Sequence, residues 1–153
     1  MIQKKFGSKH LSEFHWHDIN ISIYSIFDLF EFRGMEEILK KRIKNLAIMV
    51  WHNCQNTGNE FKDYKNQLIR CSSSIGANYR AACRAKSGRN FINKLKIVEE
   101  ELNESMFFIE LIVLIKPELN SIWKKPLNES EELLKIIVKS IETVRARITK
   151  KPK

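Results

Sequence analysis

Residues 68–80 read LIRCSSSIGANYR, and this stretch decides the fold prediction for the whole chain. Its apolar side chains recur at spacings of three and four, as they do on one face of an α-helix. Gly76 stands among small residues, although glycine costs a helix about 1 kcal/mol relative to alanine. That cost is usually tolerated where another backbone approaches closely. We therefore predict Ser73, Ser74, Gly76 and Ala77 as a helix-crossing or oligomer contact.

The same periodicity continues on both sides of this stretch and predicts four helices. They span about residues 36–56, 62–86, 90–115 and 130–149. The breaks between them are predicted at Thr57-Gly58-Asn59, at Ser87-Gly88, at Pro117, and at Pro126-Leu127-Asn128, with Asn128 or Ser130 capping the last helix. Because every connection is short, consecutive helices should be antiparallel. The predicted fold class is therefore all-α, an antiparallel up-down-up-down four-helix bundle with an N-terminal extension.

The division into domains follows from where the helical pattern begins. Residues 35–153 form the predicted bundle domain, and residues 1–34 form the predicted N-terminal extension, whose order the sequence leaves open. Residues 19–23 alternate between apolar and polar, as a strand would, whereas residues 24–30 would place aromatic side chains on one helical face. The extension either precedes a bundle that starts at Met35 or packs as an arm on a neighbouring molecule.

The net charge of +9 lies entirely in residues 35–153, because residues 1–34 are balanced. Residues 64–98 contain eight Lys or Arg and no Asp or Glu. Phosphate binding needs several cations but no fixed spacing between them, so this run predicts a nucleic-acid surface. The predicted contacts are Arg70, Arg80, Arg84, Lys86, Arg89, Lys94 and Lys96. The same run is also compatible with the solvated outer face of a bundle helix.

Acidic residues return directly after this run, and Glu101 and Glu104 share one helical face. Paired carboxylates can perform acid–base chemistry or bind a divalent ion. Because a basic helix is predicted beside them, salt bridges to Arg70, Arg80 or Arg84 are the favoured interpretation.

Motifs for catalysis or for cofactor binding are not recognisable in the sequence. His15 and His17 lack further ligands at a fixed spacing, so no metal site is predicted. We therefore predict neither an enzyme nor a cofactor. The three cysteines lie on apolar stripes, which is typical of small buried side chains in a reducing cytoplasm. No secretory signal or membrane-spanning run is visible, so we predict a cytoplasmic location without a membrane partner.

Several motifs together resemble the four-helix bundle family of 23S ribosomal RNA intervening-sequence proteins. They are the RCSSSIGANYRAA run of residues 70–82, the spacing of Ser87, Phe91, Lys94 and Leu95, and the pattern E-x-x-E-S-x-x-F-x-E-L of residues 101–111. The resemblance covers about residues 39–149. Ala81 and Phe108 stand where members of that family usually have Glu and Trp.

The resemblance implies a short antiparallel bundle that assembles as a ring, commonly of five subunits. Some members are encoded within inserts in ribosomal RNA genes. The family is similar in fold to the accessory variability proteins of diversity-generating retroelements, which bind nucleic acid and a reverse transcriptase. It brings no enzymatic activity. A homopentamer with RNA, DNA, a reverse transcriptase or another protein as partner is what the resemblance implies here.

From the residues and the resemblance together, we predict a non-enzymatic, oligomeric protein that binds RNA or DNA phosphates through a basic face. The alternative is a protein-interaction scaffold with an acidic protein partner and no role for nucleic acid. The least favoured interpretation is a hydrolase that uses Glu101 and Glu104 with a metal ion.

Overall fold

The structure is a computed structural model that describes the backbone of residues 26–149 and the side chains from residue 34 onward. Within this part the chain forms four α-helices and no strand, which confirms the all-α prediction. The helices are α1 (Ile26–Gln55), α2 (Lys62–Cys83), α3 (Gly88–Ile115) and α4 (Asn120–Thr149). Short 3-10 turns at Asn59–Phe61 and Pro117–Leu119 lead into α2 and α4.

Contacts between α1 and α4 show that these two helices are antiparallel. Arg42 binds Glu129, and further along α1 the Asn53 side chain binds the carbonyl of Ile122, which lies earlier on α4. Short connections join the other neighbouring pairs, α1 with α2, α2 with α3, and α3 with α4, which also pack against each other. The helices therefore alternate in direction, so that α1 and α3 run one way and α2 and α4 run the other.

The predicted apolar stripes form the core between the four helices. The buried members include Leu39, Ile43, Leu46 and Val50 on α1, Leu68, Ile75 and Tyr79 on α2, Leu95, Val98, Leu102 and Ile109 on α3, and Ile137 and Ile141 on α4. Cys54 and Cys71 are buried free thiols, as predicted, whereas Cys83 is half-buried. Burial raises the pKa of the Cys54 thiol to about 11, which fits a packing role for this side chain.

The start of the fourth helix was predicted wrongly. α4 begins at Asn120 rather than near residue 130, and Pro126 lies inside it. Neither Asn128 nor Ser130 caps the helix, because the Ser130 hydroxyl instead donates to the carbonyl of Pro126 at 2.9 Å, within the helix. The extra turns add Trp123, which is fully buried, to the core.

The reason that α4 tolerates an internal proline lies on α1. Proline has no N–H, so the carbonyl four residues earlier, that of Ile122, loses its usual helical donor. Asn53 Nδ2 donates to this oxygen at 2.6 Å and replaces the missing bond. Beside it, Trp123 Nε1 donates to Thr57 Oγ1 at 3.2 Å, and the Thr57 hydroxyl donates to the carbonyl of Asn53 at 2.8 Å. We call these four residues, together with Pro126, the α1–α4 clamp.

The first helix reaches further toward the N-terminus than predicted: the chain is already helical at Ile26, the first residue described, rather than from about residue 36, and the helix continues through Gly34. The helical interpretation of residues 24–30 therefore agrees with the backbone of residues 26–30. The alternating residues 19–23 and the pair His15 and His17 lie outside the described part of the chain. Among the helices described, none has a stretch long and apolar enough to cross a membrane.

Candidate nucleic-acid interface

The contact between α2 and α3 contains a polar cluster around Arg70. Its Nη1 lies 3.3 Å from both carboxylate oxygens of Glu101, and its Nη2 lies 2.5 Å from Oε1 of Glu104. Ser74 Oγ donates to Glu101 at 2.9 Å and accepts from Asn78 Nδ2 at 3.1 Å. We call these five residues the polar seam. It unites polar residues from two of the three motifs that carry the family resemblance, residues 70–82 and residues 101–111.

The charges of the polar seam are matched to one another. The hydrogen bond from Arg70 lowers the pKa of the Glu104 carboxyl below its usual value, and the same bond raises the pKa of Arg70. Glu104 therefore stays ionised at neutral pH and serves as an ion-pair partner. The predicted salt bridges of Glu101 and Glu104 are confirmed for Arg70. They are wrong for Arg80 and Arg84, which make no ion pair in the described part of the chain.

Cys71 lies beside the seam, and its Sγ and carboxylate oxygens of Glu101 and Glu104 lie within 4.8 Å of one another. These are possible metal ligands, but Arg70 donates to both carboxylates and approaches Sγ at 3.3 Å. Burial raises the pKa of the Cys71 thiol to about 12, so the thiolate that binds metals is scarce at neutral pH. The arrangement is that of an ion-paired helix contact, and no metal site is inferred from it.

Five predicted nucleic-acid contacts lie together where α2 ends and α3 begins. They are Arg80 on α2, Arg84 and Lys86 in the connection, and Arg89 and Lys94 on α3. We call this group the basic end. Lys94 is half-buried and the other four are exposed. None of the five forms an ion pair with any residue whose side chain the structure describes.

The remaining two predicted contacts have acidic partners. Arg70 belongs to the polar seam, and Lys96 Nζ lies 2.8 Å from Glu99 on the same helix. The structure therefore separates these two residues, by their partners, from the five cations of the basic end. The sequence alone could not settle the pairing of Arg70, because its acidic partners lie on a different helix.

Acidic side chains near this end of the bundle already have partners of their own. Glu36 and Glu37 on α1 both bind Lys40, and Glu142 on α4 lies 3.4 Å from Lys139. None of these acids pairs with a cation of the basic end, so the basic end keeps its excess of positive charge.

The C-terminal turns of α4 bring a further cation, Arg145, to this end of the bundle, and it was not among the predicted contacts. A Cβ placed on Gly88, the first residue of α3, would lie 2.9 Å from Ile148 Cδ1 and 3.4 Å from Val144 Cγ1. This contact brings the end of α4 to the start of α3, and the exposed Arg145 comes with it. Because α3 and α4 are antiparallel, the end of α4 lies near the start of α3. The predicted antiparallel order of the helices could therefore have placed Arg145 at this end of the bundle.

The predicted helix-crossing residues occupy three different environments. Ser74 belongs to the polar seam, whereas Ser73 and Ala77 are exposed. Gly76 faces α1, where a Cβ would lie 3.5 Å from Ile43 Cγ2, an ordinary contact distance. Gly76 therefore lies against α1, and the space at this position still leaves room for one methyl group.

Gly76→Ala is expected to raise the free energy of unfolding by about 0.5–1 kcal/mol, because alanine favours the helix and restricts the unfolded chain. Gly34→Ala is the matched control, since a Cβ there would meet nothing within 4 Å and would report helix propensity alone. Urea unfolding followed by circular dichroism measures both variants. A loss of stability in Gly76→Ala beside a gain in Gly34→Ala would show that α1 and α2 approach too closely for a methyl group.

The fold and its charged surfaces define a class of protein, an antiparallel four-helix bundle with an ion-paired seam and a cationic end. Residues 36–140 match the family described as 23S rRNA-intervening sequence protein, and the chain belongs to this family. All of the polar seam and the basic end fall within the matched residues.

A solved structure supports the same assignment. The chain is 29% identical to a protein of unknown function from the S23 ribosomal protein family of Bacteroides thetaiotaomicron, with a TM-score of 0.64. The similarity covers 70% of this chain and 97% of the other. No curated protein matches this sequence.

Proposed function

We propose that this protein is a non-enzymatic, oligomeric protein that binds the phosphates of RNA or DNA through its basic end. The observation that carries the proposal is the group of five cations, Arg80, Arg84, Lys86, Arg89 and Lys94, none of which has an acidic partner in the described part of the chain. Unpaired cations at one end of a molecule attract a polyanion and release its counterions on binding. The match to the intervening-sequence family adds support from the fold alone.

The surroundings of the basic end favour recognition of the phosphate backbone over recognition of bases. Proteins that hold single strands usually stack bases on exposed aromatic side chains. Within residues 34–149 the exposed aromatic rings are Trp51, His52 and Phe107, and none of them belongs to the basic end. The aromatic residues at this end, Tyr79 and Phe91, are buried and half-buried. Binding should therefore be nearly independent of sequence and no weaker for duplexes than for single strands.

Fluorescence anisotropy with duplex DNA, duplex RNA and single-stranded RNA, over about 50–200 mM salt, tests the proposal. Five phosphate contacts should give a slope of log K against log salt of about −4.5 on duplex DNA. An absence of binding to all three probes at about 50 mM salt, where non-specific binding is strong, would refute it. The scaffold with an acidic protein partner would then take its place.

A further inference from the structure

A groove between α1 and α2 leads away from the basic end. Its buried lining includes Ile43 and Tyr79, and its exposed lining includes Lys44, Ser73, Ala77 and Arg80. Since Arg80 belongs to the basic end as well, the two surfaces are continuous. The groove measures about 290 Å³, whereas pockets that enclose small molecules begin at about 300 Å³. A ligand that lies along the surface therefore suits it better than an enclosed one. We call it the α1–α2 groove.

The charged residues that line the α1–α2 groove are all cations. They are Lys40, Lys44 and Arg80. Lys40 already binds Glu36 and Glu37. Lys44 and Arg80 are exposed, and neither forms an ion pair with any side chain that the structure describes. The groove therefore carries the unpaired positive charge of the basic end onto α1, where it attracts phosphates.

An exposed indole continues the line of groove residues along α1. Trp51 follows Lys44 by seven residues and Ala47 by four, and both of these residues line the groove, so all three share one side of the helix. Trp51 is 50% exposed, and the ring of His52 supports it in a T-shaped contact with the centroids 5.1 Å apart. Surfaces that hold single-stranded nucleic acid combine cations for the backbone with aromatic rings on which bases stack.

The spacing along the bundle matches a short strand. Gly76 lies beside Ile43, because a Cβ placed on the glycine would lie 3.5 Å from Ile43 Cγ2. α1 and α2 are antiparallel, so Arg80 lies about 6 Å from this level toward the basic end, and Trp51 lies about 12 Å from it in the opposite direction. The resulting span of about 18 Å corresponds to about five nucleotides at the stacked rise of about 3.4 Å.

We propose that the α1–α2 groove holds a single-stranded extension of the nucleic acid whose duplex binds the basic end. Arg80 and Lys44 bind successive parts of its backbone, and one of its bases stacks on Trp51. A duplex alone cannot make the last contact, since the faces of its internal bases are covered by their neighbours. The inference rests on the proposed function and names its ligand more closely, as a duplex with a single-stranded overhang.

Fluorescence anisotropy with four probes tests the inference. The probes are a blunt duplex, the same duplex with a 5′ or a 3′ overhang of about eight nucleotides, which exceeds the span of about five, and a longer blunt duplex with as many phosphates as the overhang probes. One of the overhang probes should bind at least about fivefold more tightly than the longer blunt duplex, the low end for one stacked base. Its binding should also quench the fluorescence of Trp51.

Single substitutions identify the contacts. Trp51→Ala should remove the gain from the overhang and the quenching, and it should leave the affinity for the blunt duplex unchanged. Phe107→Ala is the matched control, since Phe107 is 54% exposed on α3, away from the groove. Lys44→Ala should flatten the salt slope by about 0.7 on the overhang probe alone. Lys41→Ala, which removes an exposed lysine of α1 outside the groove, should change it much less.

The outcomes separate this inference from the proposed function. If the blunt duplex binds and neither overhang binds more tightly than the longer blunt duplex, the inference is overturned and the proposed function stands. Equal losses in Trp51→Ala and Phe107→Ala would also overturn it. An absence of binding to all four probes would refute both. Circular dichroism should show the same helical content in every variant, which separates a lost contact from lost folding.

Discussion

Trp123→Ala is expected to lower the free energy of unfolding by about 3–5 kcal/mol, the range for deleting a large aromatic side chain from a core. Trp123 is fully buried, so its loss leaves a cavity between α4 and α1. The substitution also removes the hydrogen bond to Thr57 Oγ1 and weakens the α1–α4 clamp. Urea unfolding followed by circular dichroism measures the change.

Two milder substitutions show which part of the clamp contributes the stability. Trp123→Phe retains most of the apolar volume but cannot donate a hydrogen bond to Thr57. It should therefore lower the free energy of unfolding clearly less than Trp123→Ala does. Thr57→Val keeps the shape of the side chain and leaves Trp123 Nε1 without its acceptor, which should cost about 1–3 kcal/mol. If Trp123→Ala costs less than about 1 kcal/mol, the N-terminal turns of α4 do not pack as described.

Replacing Arg84, Lys86 and Arg89 together by alanine is expected to weaken binding to duplex DNA by about 10²- to 10³-fold at about 0.1 M salt. Each lost phosphate contact removes about 0.9 from the salt slope, so three contacts flatten it by about 2.7. The loss should be similar for all sequences, because phosphate contacts carry no sequence information. Fluorescence anisotropy over a series of salt concentrations gives both quantities.

A variant of equal charge provides the control for this experiment. Lys41, Lys124 and Lys125 are exposed, lie outside the basic end and form no ion pairs with described residues. Replacing these three by alanine removes the same net charge from other parts of the surface, and it should reduce affinity much less. Equal losses in both triple variants would mean that net charge attracts the nucleic acid and that the basic end is not a distinct site.

The core could be predicted from sequence because it depends on periodicity. The stripes through Ile43, Ile75, Leu102 and Ile137 repeat every three or four residues, and burial follows that repeat directly. The start of α4 could not be predicted in this way. Pro126 normally ends a helix, and the group that allows it to remain inside one is Asn53, on a different helix. Local rules contain no information about a donor so distant in the sequence.

The candidate site, too, could be predicted from the sequence only in part. A run of cations without acids identifies a basic surface, and five of the seven predicted residues do lie together at the basic end. Which arginine the acids of α3 would bind depended on the register between α2 and α3. In the observed register Arg70 forms ion pairs with Glu101 and Glu104, whereas Arg80 and Arg84 form no ion pair with any described residue. Arg145 was missed because its place beside the basic end depends on how α4 packs.

The bond between Asn53 and the carbonyl of Ile122 also bears on how this sequence can change over generations. Asn53→Ala alone would strip that carbonyl of its donor, whereas Pro126→Ala would supply a helical N–H and make the asparagine dispensable. The effect of a substitution at either position therefore depends on the residue at the other, although the two positions are far apart in the chain. A lineage can lose the asparagine at little cost only after it has lost the proline, so the order of the two replacements is fixed by the hydrogen bond.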